Sequence, residues 1–526
     1  PLRIALLDVA KAYDTVVHAH LVTALAEVNV PASLIAAVVG MYTAVRYRVA
    51  VQGRAGAVFP AGVGVRQGCP LSPLLYNLYT TGLAKHLARE CPNVGVALAG
   101  DSDNVVVLSY ADDQAVVHQG YMLGLQQAVA ATEAYLGGLG QALNGAKTVH
   151  LVCMPRGTPP AVGTLQVGGV PVAPMPDGIY LGLKYDNSAS SATMAHHRAQ
   201  RLASSAYSGF AALRGAANSI PQTAMSALKV VNTMAMPAGT YGCAVWGLQY
   251  CQPRVAVTRP REEKLKELYA FQDPGEKQRC AVLRHWFHLP HHVPKLALLH
   301  ELGCTPLVHT YVLQAVRLYN TLRLAGGQYK ALLQQCVRDF TGAQQVNNWA
   351  AALYRVLLLL LPGGNWRRVL NDLDPIDPRP IKQCLATAYA QYVAAFRPIV
   401  AGEGSRLGVY FREWGDHPVG KLALYLRKSL PLTHVRRTLH FRLGAHHLQV
   451  AVGRYQGLAR GARLCQRCQQ PSVDDERHAV LHCSYPPLAA ARATCCAAVF
   501  GGGVPATDAL AKFFQEAQTA PRLRRV

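Results

Sequence analysis

The segment Val105-Val106-Val107-Leu108-Ser109-Tyr110-Ala111-Asp112-Asp113-Gln114-Ala115-Val116-Val117-His118 decides how the chain is read. Val105–Tyr110 and Gln114–His118 are two β-forming runs around a short polar centre, the pattern of a hairpin. The turn carries two adjacent carboxylates. Neighbouring carboxylates repel one another and raise each other's pKa, so a fold that keeps them together calls for a cation. Taken alone, an Asp-Asp pair in a hairpin is also an ordinary turn.

A third carboxylate lies upstream. Ile4-Ala5-Leu6-Leu7-Asp8-Val9-Ala10 is a nearly continuous apolar run, as in a strand buried on both faces. Asp8 ends it, either as a helix-capping residue or as a partner of Asp112 and Asp113. A strand end and a hairpin turn side by side in one sheet bring three carboxylates together. Hard carboxylate oxygens suit Mg²⁺. A pair of such ions, about 3.5–4 Å apart, activates a hydroxyl nucleophile and stabilises a leaving pyrophosphate.

Around these sites the periodicity predicts helices at about 16–28, 32–43 and 121–138, and a strand at 148–153. Tyr47–Gln52 and Ala57–Val65 alternate around Gly53 and predict a hairpin. Ser72-Pro73 predicts a helix to about Glu90, with Ser72 as N-cap and Pro73 as first helical residue. The Gly/Pro-rich stretch 154–178 reads as linker and turns. Residues 190–430 read as mainly helical, with breaks at 362–364 and 374–380.

The bulk numbers agree with a globular chain of about two to four domains. The sequence has 526 residues, 51% of them hydrophobic and 15% charged, which argues against wholesale disorder. Net charge is +23, which favours a polyanionic partner. Residues 1–150 hold nine Lys/Arg and nine Asp/Glu, so the whole excess lies downstream. The longest apolar run, Val356–Leu361, is too short to span a bilayer. Fourteen scattered cysteines without a secretory leader fit a reducing compartment better than a disulfide framework.

Near the C-terminus, Cys465-x₂-Cys468-x₉-His478-x₄-Cys483 has the ligand types and spacing of a closed, structural Zn²⁺ site. His482 is a competing ligand, and Cys495 and Cys496 lie outside the pattern. Before it come Arg436, Arg437, Arg442, Arg454, Arg460, Arg463 and Arg467, interleaved with Phe441, His446, His447 and Tyr455. Cations for phosphates and rings for bases make the composition of a nucleic-acid binder; a solvated basic face reads the same way.

The ordered series of short motifs resembles the non-LTR (LINE-type) retrotransposon reverse transcriptases. Leu7-Asp8-Val9-Ala10-Lys11-Ala12-Tyr13-Asp14 resembles their first palm motif. Arg66-Gln67-Gly68-Cys69-Pro70-Leu71-Ser72-Pro73-Leu74-Leu75-Tyr76-Asn77 resembles the second, and Tyr110-Ala111-Asp112-Asp113 the third. Leu143-Asn144 with Lys147-Thr148 resembles the fourth. Tyr180-Leu181-Gly182 is similar to the primer-grip hairpin, and Tyr241-Gly242-Cys243 with Trp246 to a thumb signature.

The resemblance implies an α+β fold: a polymerase palm with an antiparallel sheet and packed helices, a helical thumb, a helical C-terminal extension and a small zinc knuckle. The implied divisions are palm 1–155, primer-grip hairpins 156–188, thumb and connection 189–330 and helical extension 331–433. A basic nucleic-acid-binding segment 434–464, the CCHC knuckle 465–483 and a tail 484–526 complete them. The implied activity is RNA-directed DNA polymerisation onto a primer 3′-hydroxyl, in target-primed reverse transcription. Asp8, Asp112 and Asp113 would hold two catalytic Mg²⁺ ions, with Asp113 assisting. Lys147 would donate a proton to pyrophosphate.

Tyr13 would sit under the sugar and select deoxynucleotides, while Arg66, Gln67, Gly68 and Tyr110 would contact substrate. Cys465, Cys468, His478 and Cys483 would hold one structural Zn²⁺. Implied partners are an RNA template, a DNA primer or target and deoxynucleoside triphosphates, with no membrane. The implied location is nucleus and cytoplasm, as a ribonucleoprotein, not secretion. The resemblance begins in mid-domain, so a fingers segment is expected upstream of Pro1. A remnant that only binds nucleic acid and a group II intron-like maturase are the alternatives.

Overall fold

The structure is a computed structural model. It describes residues 1–98, 104–154, 163–188, 190–216, 222–253, 258–342, 346–401, 410, 418–427 and 430–500. The chain divides into two compact units: Pro1–Met194 with Thr321–Gln345, and Ala195–Asn320 with Val346–Val526. The expected division at 330/331 therefore falls inside a segment that packs with the first unit. Residues 501–526 of the expected tail lie outside the described residues.

The first unit is built on a four-stranded antiparallel sheet. Its strands are β1 (Leu2–Asp8), β4 (Val107–Tyr110), β5 (Asp113–Gln119) and β6 (Val149–Cys153), in the order β4-β5-β1-β6. The apolar run of β1 takes the central position. Its burial alternates, with Ala5 and Leu7 in the core and Ile4 and Leu6 half-buried. One face is thus closed and the other only partly covered, which corrects the expectation of burial on both faces. Period-two side-chain alternation lets a single run serve two environments.

The closed face rests on helices α1 (His18–Glu27), α3 (Ser72–Tyr79), α4 (Leu83–Glu90) and α5 (Met122–Gly138). Leu21, Leu25, Tyr76, Tyr79, Leu87, Leu125, Val129 and Leu136 are fully or almost fully buried there. Each such side chain contributes roughly 1.5–3 kcal/mol by leaving water. Helix α2 (Ala32–Tyr42) follows α1, and the hairpin β2 (Arg46–Val51) and β3 (Arg54–Pro60) is exposed along both strands. Two further hairpins, β7 (Leu165–Val167)/β8 (Val170–Val172) and β9 (Asp177–Tyr180)/β10 (Leu183–Asp186), follow β6.

The helix expected from Ser72 to Glu90 is broken at Thr80–Gly82. Ser72 is not its N-cap: Leu71 occupies that position, and the Ser72 hydroxyl donates to the Arg66 carbonyl at 2.6 Å. A local hydrogen bond outcompeted the cap.

The second unit is helical. The helix Pro274–Phe287 shows why local signals work there. Asp273 accepts from the Glu276 amide at 2.7 Å as N-cap, Pro274 opens the helix, and His288 closes it in the left-handed conformation. Buried ion pairs pin this unit. Glu301 receives Arg442 and the hydroxyls of Tyr410 and Tyr425, both at 2.8 Å. Arg279 meets Glu276 at 2.6 Å, and Glu276 also accepts from the Leu307 amide at 2.8 Å. Trp246, of the expected thumb signature, is buried and donates to the Tyr241 carbonyl at 3.1 Å.

Candidate active site

The three aspartates come from the end of β1 (Asp8), the β4–β5 turn (Asp112) and the start of β5 (Asp113). In the β1–β5 register Asp8 lies directly opposite Asp113, and Tyr110 pairs with Asp113 across the β4–β5 turn. Opposed residues in an antiparallel pair project to the same face. The turn is tight: Ala111 has φ +53°, its amide donates to Asn77 Oδ1 at 3.1 Å, and its carbonyl accepts from Gln114 Nε2 at 2.8 Å. Asn77 thus carries the hairpin from helix α3. Its place in the second motif was legible, but not this role.

The proximity has an electrostatic consequence. Burial raises the Asp113 pKa above the usual carboxylate range, and the charges of Asp112 and Asp8 raise it further. Asp112 and Asp113 are exposed and Asp8 is half-buried. Lys147 Nζ lies 3.9 Å from Asp8 Oδ2. The loop that bears it is fixed to the strand end by the Asn144 amide, which donates to the Asp8 carbonyl at 2.7 Å. The three carboxylates do not form a closed ligand cluster. The group that the described residues place to share a metal is the Cys/His set below.

Tyr13 stacks on Tyr76 with ring centroids 5.1 Å apart. Its phenol pKa is raised by burial first, then by Asp112 and Tyr110, which places it beside the acidic turn. Gln141, buried, holds this loop from below. Its Nε2 donates to the Ala12 carbonyl at 2.9 Å, and its Oε1 accepts from Tyr76 Oη at 3.1 Å. No sequence signal marked Gln141.

Gln67 Nε2 donates to Asp14 Oδ1 at 3.2 Å, joining the second motif to the first. Arg66 is exposed and donates to the Met41 carbonyl at 3.0 Å. Gly68 has φ +81° and open space where a Cβ would stand. Tyr110 is 66% exposed, a ring presented to solvent at the edge of the turn. Tyr180, in the expected primer grip, donates to the Leu108 carbonyl at 3.0 Å. Its pKa is pushed up to about 12 by burial, with Asp113 adding to the shift. The Leu181-Gly182 turn beyond it has two positive φ angles, as a two-residue type I′ hairpin requires.

Cys465, Cys468, His478 and Cys483 place their ligand atoms within 4.8 Å of one another. Cys468 Sγ lies 3.3 Å from His478 Nε2, and Cys465 Sγ lies 3.9 Å from Cys483 Sγ. Three thiols and an imidazole are the donor set of a closed soft-metal site. The Cys468 thiol is lowered to about 6, first by the Gln470 backbone and also by its three cluster neighbours. His482, the competing ligand, is not part of the set. Asp474-Asp475-Glu476 fastens the knuckle: Asp474 accepts from the Gln449 amide at 2.8 Å, Asp475 from the His478 amide at 2.9 Å, and Glu476 meets His446 at 2.8 Å.

The arginines before the knuckle depart from expectation. Arg442 is buried against Glu301, and Arg436 donates twice to the Trp286 carbonyl, at 2.7 and 3.1 Å. Arg460 pairs with Asp475 at 3.1 Å, Arg467 with Asp474, and Arg463 bonds the carbonyls of Leu458 and Val450. These five of the seven arginines are engaged by neighbouring protein groups, while Arg437 is exposed.

Comparison with known proteins points to the same class as the motifs. The family described as "Reverse transcriptase (RNA-dependent DNA polymerase)" matches residues 3–185. Over 156 residues the chain is 31% identical to the "Retrovirus-related Pol polyprotein from type-1 retrotransposable element R2" of Nasonia vitripennis, covering 30% of this chain and 15% of that protein. It is 30% identical over 146 residues to the "Transposon TX1 uncharacterized 149 kDa protein" of Xenopus laevis, covering 28% and 11%. With the "Retrovirus-related Pol polyprotein from type-2 retrotransposable element R2DM" of Drosophila melanogaster it shares 31% over 155 residues, covering 29% and 14%.

Residues 3–185 match the reverse transcriptase family, and the relatives similar to this stretch are proteins of retrotransposable elements and a transposon. The matched stretch spans 15% or less of each of these three relatives. The reverse transcriptase domain contains all three aspartates, Tyr13, the Gln67 loop and Lys147, and it implies dependence on a divalent metal. Among the described residues no helix is long and apolar enough to cross a membrane.

Proposed function

We propose that the chain is the polymerase portion of a LINE-type element and extends a DNA primer on an RNA template. The observation that carries this reading is the register of Asp8 opposite Asp113 beside the Tyr110–Asp113 turn, inside the matched domain. Asp8 and Asp112 hold the metals and Asp113 supports them. When bound, two Mg²⁺ ions lower the pKa of the primer 3′-hydroxyl and neutralise charge on the leaving pyrophosphate. The chain's own groups do the rest. Tyr13, braced by Tyr76 and Gln141, offers a flat ring below the sugar and leaves no room for a 2′-hydroxyl. Gln67 and Gly68 bring backbone and amide close to the nucleotide. Lys147, beside Asp8, delivers the proton that pyrophosphate takes up.

The Cys465–Cys483 knuckle binds one Zn²⁺, which orders a segment too small for its own core. The partners are the RNA template, the DNA primer or target and deoxynucleoside triphosphates, handled as a ribonucleoprotein.

The test is primer extension on an RNA template with Mg²⁺, using protein that includes this chain. Asp112→Asn is expected to lower the rate by about 10³-fold or more, since each catalytic metal supplies several kcal/mol. Extension that survives this substitution sinks the reading. Metal analysis of the wild type should give one zinc per chain, lost in Cys465→Ser.

A further inference from the structure

Ala111 and Asp112 form the loop between β4 and β5, with Tyr110 paired to Asp113. Ala111 has φ +53°, and Asp112 does not share that conformation. A two-residue loop of this form ordinarily carries Gly at its first position, because a Cβ is strained there. Strained backbone persists only where its surroundings over-determine it.

Two side-chain amides supply that restraint. The Ala111 N–H donates to Asn77 Oδ1 at 3.1 Å, and the Ala111 carbonyl accepts from Gln114 Nε2 at 2.8 Å. The first bond pins the peptide plane before Ala111, and the second pins the plane after it. With both planes held, φ and ψ of Ala111 are fixed, and so is the direction in which Asp112 leaves the turn. The Gln114 amide is itself kept from turning over, because its Oε1 accepts from the Ser109 hydroxyl.

Gln114 occupies an unusual place for an amide. It is 1% exposed and stands opposite Leu7, on the helix-packed face that Ala5 and Val116 share. Asp113, the preceding residue, turns to the other face with Asp8. A desolvated amide among apolar neighbours costs stability unless it is bonded. Here its bonds go to the turn and to the strand that enters it, while Asn77 reaches the same turn from helix α3.

We propose that Asn77 and Gln114 are positioning residues for the divalent metal: together they hold Asp112 where it shares the ion with Asp8. Neither touches metal or substrate. The inference rests on the polymerase reading and adds to it what orders Asp112 before the metal arrives. Ordering a ligand in advance lowers the cost of binding, and partners that orient metal ligands are typically worth about 10–100-fold in metal affinity.

The test titrates protein that includes this chain with Mn²⁺, without primer or nucleotide, by electron paramagnetic resonance. It counts only the binding that Asp112→Asn lacks. Gln114→Met and Asn77→Ala are each expected to raise half-saturating Mn²⁺ by about 10-fold. In primer extension across a Mg²⁺ series they should raise half-saturating Mg²⁺ likewise, with the plateau rate within about twofold of wild type. A merely structural role would lower the plateau with the folded fraction and leave half-saturation where it was. Asn77→Asp, which keeps the acceptor oxygen, should bind at least as tightly as wild type. Asn77 is exposed, so its variants decide the matter if Gln114→Met fails to fold. Unchanged half-saturation in Asn77→Ala would overturn the proposal, as would an Asn77→Asp chain as weak as Asn77→Ala. If Asp112→Asn binds Mn²⁺ like the wild type, the polymerase reading falls and this proposal with it. If Asp112→Asn loses the ion while the Asn77 and Gln114 variants keep it, only this proposal falls.

Discussion

The acidic residues of the two units live in opposite circumstances. In the first unit, Asp8 stands opposite Asp113 with Asp112 beside them in the turn, all partly or fully exposed, and Lys147 lies 3.9 Å from Asp8. In the second, Glu301 is fully buried and takes donors from Arg442, Tyr410 and Tyr425. The first group is repulsive and open, the second saturated and closed. Saturated buried charge specifies packing, while unsatisfied surface charge is held in readiness for something that arrives. Acid content alone would not separate them; the partners do.

The sharpest way to break this contrast is to strand a charge in the second unit. Arg442→Met leaves Glu301 buried without its cation, and should destabilise by about 3–5 kcal/mol, read as a lower urea midpoint by tryptophan fluorescence. An unchanged midpoint would mean that Glu301 is not closed in solution.

Next in size is a titration inside the palm sheet. His150 is fully buried on β6, and burial, then Arg3, lowers its pKa to about 4. The unfolded chain takes up this proton near pH 6.5, the folded chain only near 4. Stability from this group is therefore complete above about pH 6.5 and is lost as pH falls towards 4, by about 3 kcal/mol at most. His150→Leu should flatten that slope in urea titrations at pH 4.5 and pH 7; an equal slope in both proteins would refute it.

A smaller effect is expected at Gln141. Gln141→Leu removes the donor to Ala12 and the acceptor for Tyr76, at a cost of roughly 1–3 kcal/mol. If the amide positions Tyr13, the variant should also incorporate ribonucleotides more readily, whereas a purely structural role would leave sugar selection intact. Smallest, and opposite in sign, is Asp113→Asn. Removing one of the opposed like charges should stabilise the fold by no more than about 1 kcal/mol, since solvent screens both, while primer extension falls. A loss of stability there would erase the distinction between the two units.

Much of the palm was legible because its chemistry sits in short linear motifs on strands and turns. The β4–β5 hairpin, the β9–β10 turn at Leu181-Gly182 and the Cys/His spacing needed only neighbouring residues. What escaped depends on distance along the chain. The partner of Arg442 is 141 residues away and that of Arg436 is 150 residues away, so the basic run read as a nucleic-acid face when much of it is internal fastening. Ser72 misled for a local reason: its hydroxyl found the Arg66 carbonyl before it could cap a helix. Gln141 carries no motif, and only the fold reveals that it reaches Ala12.

One glycine fixes how closely the first and second motifs approach each other. Gly64 has φ +90°, and a Cβ there would stand 3.0 Å from the Asp14 carbonyl oxygen and 3.2 Å from the Asp14 Cα. Its amide bonds the Val16 carbonyl at 2.8 Å, and the next amide, of Val65, bonds that of Tyr13 at 2.8 Å. The absence of one methyl group therefore works as a caliper, letting the segment that leads into the Arg66–Gly68 loop lie against the backbone of Tyr13 and Asp14. A side chain there would push the first and second motifs apart by a few tenths of an ångström before it unfolded either.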